Sequence, residues 1–442
     1  MKRVAVVGAG IAGLTIAFRL RATHEVAVFE REAYGGGKIR SQHLDGFLFD
    51  WGPNGFLTGA PELRELVAEA GLDATLIEAN PAAAKRFIYW RGALHELPAK
   101  PPRALGMSLL SPAGKLRALG DLVVRRRVTN GDESVYAFAA RRFGREVAER
   151  IVAPALLGVS GGDAAATSAA ALFPRVVAFE GEHGSVIRGM ARAGRAAGRL
   201  AGFGAGGMQR LTDTLAAQLA APVRVGCAAE RIEPRDGGWR VHVADGAFDA
   251  DAVVLAAPAY AAADLVAGWD ASLAGELRRI AYAPMRVAGI AFRSADVPAP
   301  LDGFGFLAAR GQGVRILGAL YTSTLFPQQA PPETSYVRVF LGGATDPGAV
   351  DLEPAAAEAV VRADLAHVLG IRAAPVAYHE RVWSQAIPQY ALGHRDVLRA
   401  VDERLARQPG LFLAGNAYRG LGIADTVRDA FAVARSVGAD VP

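Results

Sequence analysis

The sequence predicts an α/β fold. A Rossmann-like nucleotide-binding domain is combined with a domain built on a mixed or antiparallel sheet, and an all-helical domain is inserted between their parts. Three observations predict it. A strand, a glycine turn, a helix and a second strand follow one another within the first thirty residues. Between Lys100 and Leu200 strand-like alternation disappears and helical periodicity replaces it. Within 284–342 the runs MRVAGIAF, GFGFLA, VRILGALY and YVRVFLGG recur at strand length, the mark of a mostly antiparallel sheet.

Taken in order, residues 3–7 (RVAVV) read as a buried strand, 11–22 as a helix opened by Gly10, and 25–30 (EVAVFE) as a second strand. A helix is predicted over 61–71, beginning at a proline, which suits a first helical position. The strands KRFIYW and ALHEL follow, then helices at 112–127, 133–142, 145–157 and 184–200. Residues 206–255 return to a helix, a strand, a hairpin and a strand ending in DAVVLAAP. After the sheet runs come a helix at 353–370 and a strand at 375–383. The final segment, LFLAGNAYRGLGIADTVRDAFAVARSV, reads as a strand, a glycine-rich turn and a long helix. The nucleotide domain is therefore expected from three stretches, 1–85, 204–258 and 396–442. The sheet domain is expected from 86–99 and 259–395, and the helical domain from 100–203.

Composition narrows the function classes. Half of the 442 residues are hydrophobic, enough for several cores. The net charge of +5 is small for such a surface, and no aromatic-basic repeat accompanies it, so no nucleic-acid partner is expected. Cys227 is the only cysteine, which rules out an intramolecular disulfide and a CxxC pair. The eight histidines show no ligand spacing, so no metal is expected. MKRVAVV leads into a fold motif rather than a cleavage site, and no run approaches the roughly eighteen apolar residues of a spanning helix. A cytoplasmic protein is expected.

The chemistry starts at Gly8, Gly10 and Gly13, a GxGxxG between strand and helix. Gly8 allows the tight turn, Gly10 lets backbone approach a diphosphate, and Gly13 permits close helix–strand packing. The helix N-terminus then turns its free N–H groups to the phosphates. Glu30 ends the second strand, where a carboxylate can accept from ribose hydroxyls. NAD and FAD share this fingerprint. Two further features discriminate: the glycine cluster YGGGKIR at 34–40, and the strand–glycine–helix at the far end. The second helix N-terminus, near Leu421, Gly422 and Ile423, can stabilise negative charge on a reduced isoalloxazine. This arrangement resembles the flavin-dependent amine-oxidase superfamily, and it selects FAD.

Within that superfamily the chain resembles the oxygen-dependent protoporphyrinogen oxidases. The resemblance is carried by WGPNGFL (51–57), AAKRFIYWRGALHELP (83–98), the segment 156–190 beginning LLGVSGGDAAATS, and GFGAGGMQRL (202–211). It continues through 303–331, WSQAIPQYALGH (383–394) and LAGNAYRGLGIAD (413–425), all in the family's order. The resemblance implies that protoporphyrinogen IX is oxidised to protoporphyrin IX in haem biosynthesis. Non-covalent FAD would take hydride three times, and O2 would reoxidise it to give H2O2. The electron-rich pyrroles stabilise the cation left by hydride, so no catalytic side chain is expected and positioning does the work.

The resemblance also implies site residues. Arg86 would pair with a substrate propionate, as a planar guanidinium suits a carboxylate, with Tyr321 stacking on a pyrrole and Leu307 packing on its other face. The cofactor contacts would be Gly8, Ala9, Gly10, Ile11, Ala12, Gly13, Glu30 and Arg31, then Gly37, Lys38, Gly52, Pro53, Asn54 and Gly55. Ala229, Trp383, Gly415, Asn416, Leu421, Gly422 and Ile423 complete them. The chain departs from the family at Tyr34, where an arginine is usual, at Ala229 in place of valine, and in GVSGGDA (158–164). The first departure puts FAD affinity in question.

Other readings stay open. Many amine oxidases carry a lysine near the flavin in the later half, but no lysine follows Lys115 here. Covalent attachment through a late cysteine is excluded. Coproporphyrinogen III oxidase, giving coproporphyrin III, shares the motifs. A non-catalytic FAD-binding scaffold is the more distant alternative. Residues 105–127 combine apolar residues with Arg125, Arg126 and Arg127, so a membrane surface is a candidate partner, in peripheral contact with the inner face of the cell membrane. A homodimer is another candidate.

Overall fold

Four short strands, Leu411–Leu413, Ala252–Leu255, Arg3–Val7 and Glu25–Phe29, lie in that order in one parallel sheet. In the computed structural model, which describes residues 1–98, 106–127, 131–193 and 198–440, three distant stretches thus meet in one layer. Val4, Ala5 and Val6 are fully buried, because a parallel sheet is covered on both faces. Helices Ile11–Leu20 and Ile423–Asp440 cover one face. Helices Ala259–Val266 and Ala271–Arg278 cover the other.

A second sheet has seven strands in the order Ala377–Pro388, Tyr282–Arg293, Thr334–Gly342, Gly318–Tyr321, Gly305–Ala308, Arg86–Trp90 and Ala93–Glu96. All its pairings are antiparallel except that of Gly305–Ala308 with Arg86–Trp90. Helix Pro354–Leu369 packs on one face, over Phe292, Tyr321, Val337 and Val339. The opposite face meets a hairpin of Ser41–Leu44 and Phe47–Asp50 and part of the helical insert. The hairpin was not predicted, although its signal was local: Asp45 and Gly46 both have positive φ (50° and 82°), as an Asp-Gly turn between apolar runs requires.

The helical insert departs most from expectation. The helix predicted at 112–127 is Pro112–Leu119, followed by a tight turn at Gly120–Leu122. There Asp121 is drawn into the core by Arg142. The helix predicted at 145–157 contains a π-helical turn, Ala148–Val152, and runs on as Ala153–Ser160. Pro174–His183 is a helix that was not anticipated. The one predicted at 184–200 is Val186–Ala193, and part of its remaining span lies outside the described residues. Leu200–Gly202 is instead a strand between Phe56–Leu57 and Ile77–Glu78. No helix among the described residues is long and apolar enough to cross a membrane.

Candidate functional site

The cleft begins where the first strand ends. Gly8 takes φ +105°, and its N–H donates to the Phe29 carbonyl at 2.8 Å. A Cβ on Gly13 would overlap the Gly8 carbonyl oxygen, whereas one on Gly10 would meet nothing within 4 Å. Helix and strand therefore touch at Gly13, and backbone is open to a ligand at Gly10. Ala9 and Ala12 are buried beneath this turn, and Ile11 opens the helix. The Glu30 carboxylate accepts from Ala9 N at 2.7 Å and from Glu32 N at 2.9 Å. Each oxygen keeps a lone pair for a ribose hydroxyl. Arg31 is exposed and pairs with Glu32. Gly226 and Cys227 donate backbone N–H to the carbonyls of Glu32 and Glu30, and Ala229 starts the next strand, half-buried beside them.

The second glycine cluster closes over the first. Gly36 N donates to the Ala9 carbonyl at 2.7 Å, and a Cβ on Gly37 would come 3.3 Å from Gly10 Cα. Lys38 follows, its ammonium 5.6 Å from the Tyr282 ring centre. Burial, with help from Arg31, pushes the Lys38 pKa down to about 8. Such a desolvated ammonium, without an acid partner among the described residues, suits a diphosphate. A Cβ on Gly52 would overlap the Lys38 carbonyl oxygen, so the turn 52–55, with Pro53, Asn54 and Gly55 half-buried, lies against this loop.

The terminal turn completes the cradle. Residues 414–422, including Gly415, Asn416, Leu421 and Gly422, join strand Leu411–Leu413 to helix Ile423–Asp440. Ile423 and Ile11, the first residues of two helices, pack against the same core. The dipole of each N-terminus favours negative charge at its end. Buried Tyr390 braces the turn: its hydroxyl donates to the Asn416 carbonyl at 2.9 Å and accepts from Gly420 N at 2.7 Å. Tyr390 stacks on His394 at 4.2 Å and 15°.

His394 makes the brace sensitive to acid. Burial pushes its pKa down to about 4, against opposing contributions from the Tyr418 backbone and Asp132. The folded pKa lies below the unfolded value of about 6.5. Stability from neutral His394 is therefore complete above pH 6.5, falls as pH drops towards 4, and is flat below. The loss amounts to about 3 kcal/mol at its limit. A His394→Gln variant is expected to lose most of the stability slope between pH 6.5 and 4, measured by denaturant titration. An unchanged slope would remove His394 as its source.

On the seven-stranded sheet, register sorts the predicted substrate residues. Arg86, Gly305, Leu320, Arg338, Gly289 and His379 lie in one row across six strands. Ile88, Leu307, Gly318, Phe340, Val287 and Arg381 form the next row on the same face. Met285 and Trp383 pair two residues further on. This face is the wall opposite the 41–55 segment. Trp383 Nε1 donates to the Trp51 carbonyl at 2.9 Å, and Trp51 stacks on Phe49 at 5.1 Å. Leu307 packs with Ile88, Met107 and Leu110, and touches the helix of Ala153–Ser160 where Gly158 leaves room. Arg86 is exposed, 4.8 Å from the Phe304 ring centre, and has no acid partner among the described residues.

Tyr321 is not with them. It stands three residues from Gly318, which pairs with Leu307, so strand alternation turns it to the other face. There it is buried against Phe306 and the core beneath helix Pro354–Leu369. The expected packing of Leu307 and Tyr321 on two faces of one ring is therefore not formed. Leu320 and Phe340 occupy the face instead.

Three residues were missed. Arg381 donates to the Tyr34 hydroxyl at 2.8 Å and lies 4.4 Å from the Trp383 ring centre, with Arg40 4.2 Å from the Tyr34 ring on its other side. An arginine of the sheet thus reaches over to the Tyr34 hydroxyl. Tyr390 and Arg338 were not singled out either, since each reads locally as one polar residue in an apolar run.

Comparison with known proteins agrees with this geometry. The family model described as flavin containing amine oxidoreductase matches residues 11–438. Chloroplastic protoporphyrinogen oxidase 1 of Arabidopsis thaliana is 31% identical, over 98% of this chain and 87% of its own. Coproporphyrinogen III oxidase of Bacillus subtilis (strain 168) is 28% identical over 96% of each. A solved structure from Exiguobacterium sp. 255-15, provisionally assigned as a protoporphyrinogen oxidase, superposes with a TM-score of 0.86 at 26% identity and covers 99% of both chains. Putrescine oxidase with bound putrescine shares the fold, with a TM-score of 0.70 at 17% identity. Two glycine loops, two helix N-termini and a match across nearly the whole chain converge on one conclusion: this flavin-dependent oxidoreductase belongs to the flavin containing amine oxidoreductase family.

Proposed function

We propose that the chain binds FAD non-covalently and oxidises protoporphyrinogen IX to protoporphyrin IX, with O2 as electron acceptor and H2O2 released. The observation that carries this reading is the sheet face of the half-buried Leu307, Leu320 and Phe340, apolar and bordered by the exposed Arg86. Such a wall suits a broad, carboxylate-bearing macrocycle better than a small amine. The full-length likeness to named protoporphyrinogen oxidases supports it. Non-covalent binding is supported by Cys227, the chain's only sulfhydryl, which sits beside Glu30 at the ribose end.

When bound, the flavin accepts hydride. The chain's own residues do the rest. Lys38 and the two helix N-termini would hold its diphosphate and offset negative charge. Trp383, fixed by the Trp51 carbonyl, sets the depth of the slot. Leu307 and Leu320 exclude water, and Arg86 orients the macrocycle by a carboxylate.

The decisive experiment is anaerobic bleaching of the flavin by protoporphyrinogen, followed by reoxidation in air. Absence of bleaching with any porphyrinogen would favour a non-catalytic scaffold. Coproporphyrinogen III is the second reading, because the Bacillus enzyme of that name matches over 96% of each chain. Porphyrin fluorescence with both substrates separates the two. Arg86→Ala is expected to raise KM at least about tenfold with a smaller change in kcat, since a carboxylate bond contributes equally to ground and transition states. An unchanged KM would take Arg86 out of the site.

We also propose that the helical insert docks on a membrane surface. Leu116, Leu119 and Val123 are exposed beside Arg125 and Arg126. Co-sedimentation with anionic liposomes is expected, and it should weaken in Leu116→Ser/Val123→Ser. No binding by the parent chain would overturn this.

A further inference from the structure

Arg338 lies in the middle of strand Thr334–Gly342 and is 1% exposed. It faces the same way as Arg86, three strands along the same row, a backbone separation of about 14 Å. The two arginines differ in access. A carboxylate can reach Arg86, but Arg338 is sealed by protein. Its Nη2 donates to the Gly52 carbonyl at 2.6 Å, while Nε and Nη1 have no partner among the described residues.

The nearest acid does not neutralise it by contact. Asp50 supports the Arg338 charge against burial, yet no ion pair joins them among the described residues. Both Asp50 oxygens are already engaged. Oδ1 accepts from Met208 N at 3.0 Å and from the Ser41 hydroxyl at 2.5 Å, and Oδ2 accepts from Gln329 Nε2 at 3.0 Å. Tyr336, buried beside them, has no partner for its hydroxyl among the described residues. A sealed cation without an acid in contact among the described residues is costly, and the same low dielectric makes it effective on charge that develops nearby.

What lies nearby is the turn 52–55. Gly52, which Arg338 holds, is pressed against the Lys38 carbonyl, and Asn54 Nδ2 is buried without a partner among the described residues. Arg338 therefore stands directly behind both loops of the cradle, on the side away from solvent.

We propose that Arg338 is a positioning residue of the redox centre. It clamps the WGPNG turn through the Gly52 carbonyl and holds a fixed positive charge that favours the anionic reduced flavin over the neutral oxidised form. This rests on the reading above that the turn 52–55 lines the flavin.

The test is an anaerobic redox titration of the holoprotein. Arg338→Gln keeps a donor for Gly52 and removes the charge, whereas Arg338→Lys keeps the charge. In Arg338→Gln the reduced-to-oxidised ratio at a given potential is expected to fall at least about tenfold, a shift of about 30 mV for two electrons. Arg338→Lys should stay within about twofold of the parent. Porphyrinogen KM should not change in either. A parent-like potential in Arg338→Gln would overturn the role, as would a raised KM with an unchanged potential. Should Arg338→Gln not fold, Asp50→Asn decides: removing the opposing charge must raise the potential, and no rise would overturn the proposal. A parent protein isolated without flavin that takes up none would overturn the functional reading itself, and this role with it.

Discussion

Gly13→Val is expected to be recovered without bound flavin and with a much lowered melting temperature. A Cβ at Gly13 overlaps the Gly8 carbonyl oxygen and comes within 3.1 Å of Ala256 Cβ and Val6 Cγ1. The obstacle is backbone, which cannot rotate away as a side chain can. The start of helix Ile11–Leu20 must then lift from the strand, at a cost of about 3 kcal/mol or more. Lifting it also withdraws the helix N-terminus from the cleft, so binding and stability fall together. Gly10→Ala is the contrast. Its Cβ meets nothing within 4 Å, so the fold should persist while the methyl group intrudes where the diphosphate belongs. Visible flavin absorbance and thermal denaturation of both variants check this. Full flavin content in Gly13→Val would contradict the close helix–strand contact.

Arg142→Met is expected to destabilise the helical insert by about 3–5 kcal/mol, the usual result of stripping one partner from a buried ion pair. Arg142 and Asp121 are both fully buried. The guanidinium bonds Asp121, Glu180 and the carbonyls of Val124, Asp121 and Gly184. Asp121 in turn accepts from Ser185 and from Ile187 N at 2.9 Å. Losing the cation leaves Asp121 buried beside Glu180 without its partner. Limited proteolysis should then cut first within the insert, and the wall that Gly158 presents to Leu307 should loosen, raising KM for substrate. Melting and proteolysis indistinguishable from the parent would show that the network contributes little.

Legibility differed between the two ends of the molecule. The nucleotide end is written in local spacing. Gly8, Gly10, Gly13 and Glu30 stand at intervals that one strand, one turn and one helix bring together, and the structure groups them around one turn. The glycines at 35–37 could be read likewise, because glycine marks close backbone approach wherever it clusters. The substrate wall was harder to read. Whether Leu307 and Tyr321 share a face depends on how Gly305–Ala308 pairs with Gly318–Tyr321, and one residue of register reverses the answer. The Tyr34–Arg381 bond joins positions 347 apart in sequence, beyond the reach of any local pattern. Arg338 is an intermediate case. An arginine between Val337 and Val339 in a strand could have been flagged as a buried charge, but not what it holds.

By itself, then, the sequence determined the class of fold, the glycine turns of the nucleotide domain and the family, because these depend on residue spacing within single βα units and on motifs in a set order. Only the tertiary structure decided which side chains share a sheet face, that an arginine of the sheet meets Tyr34, and which arginine meets solvent and which stands sealed behind the turn 52–55. The physical reason is that strand parity and burial are properties of pairing between distant segments. A strand's own residues fix its alternation, but its partner decides which face looks inward.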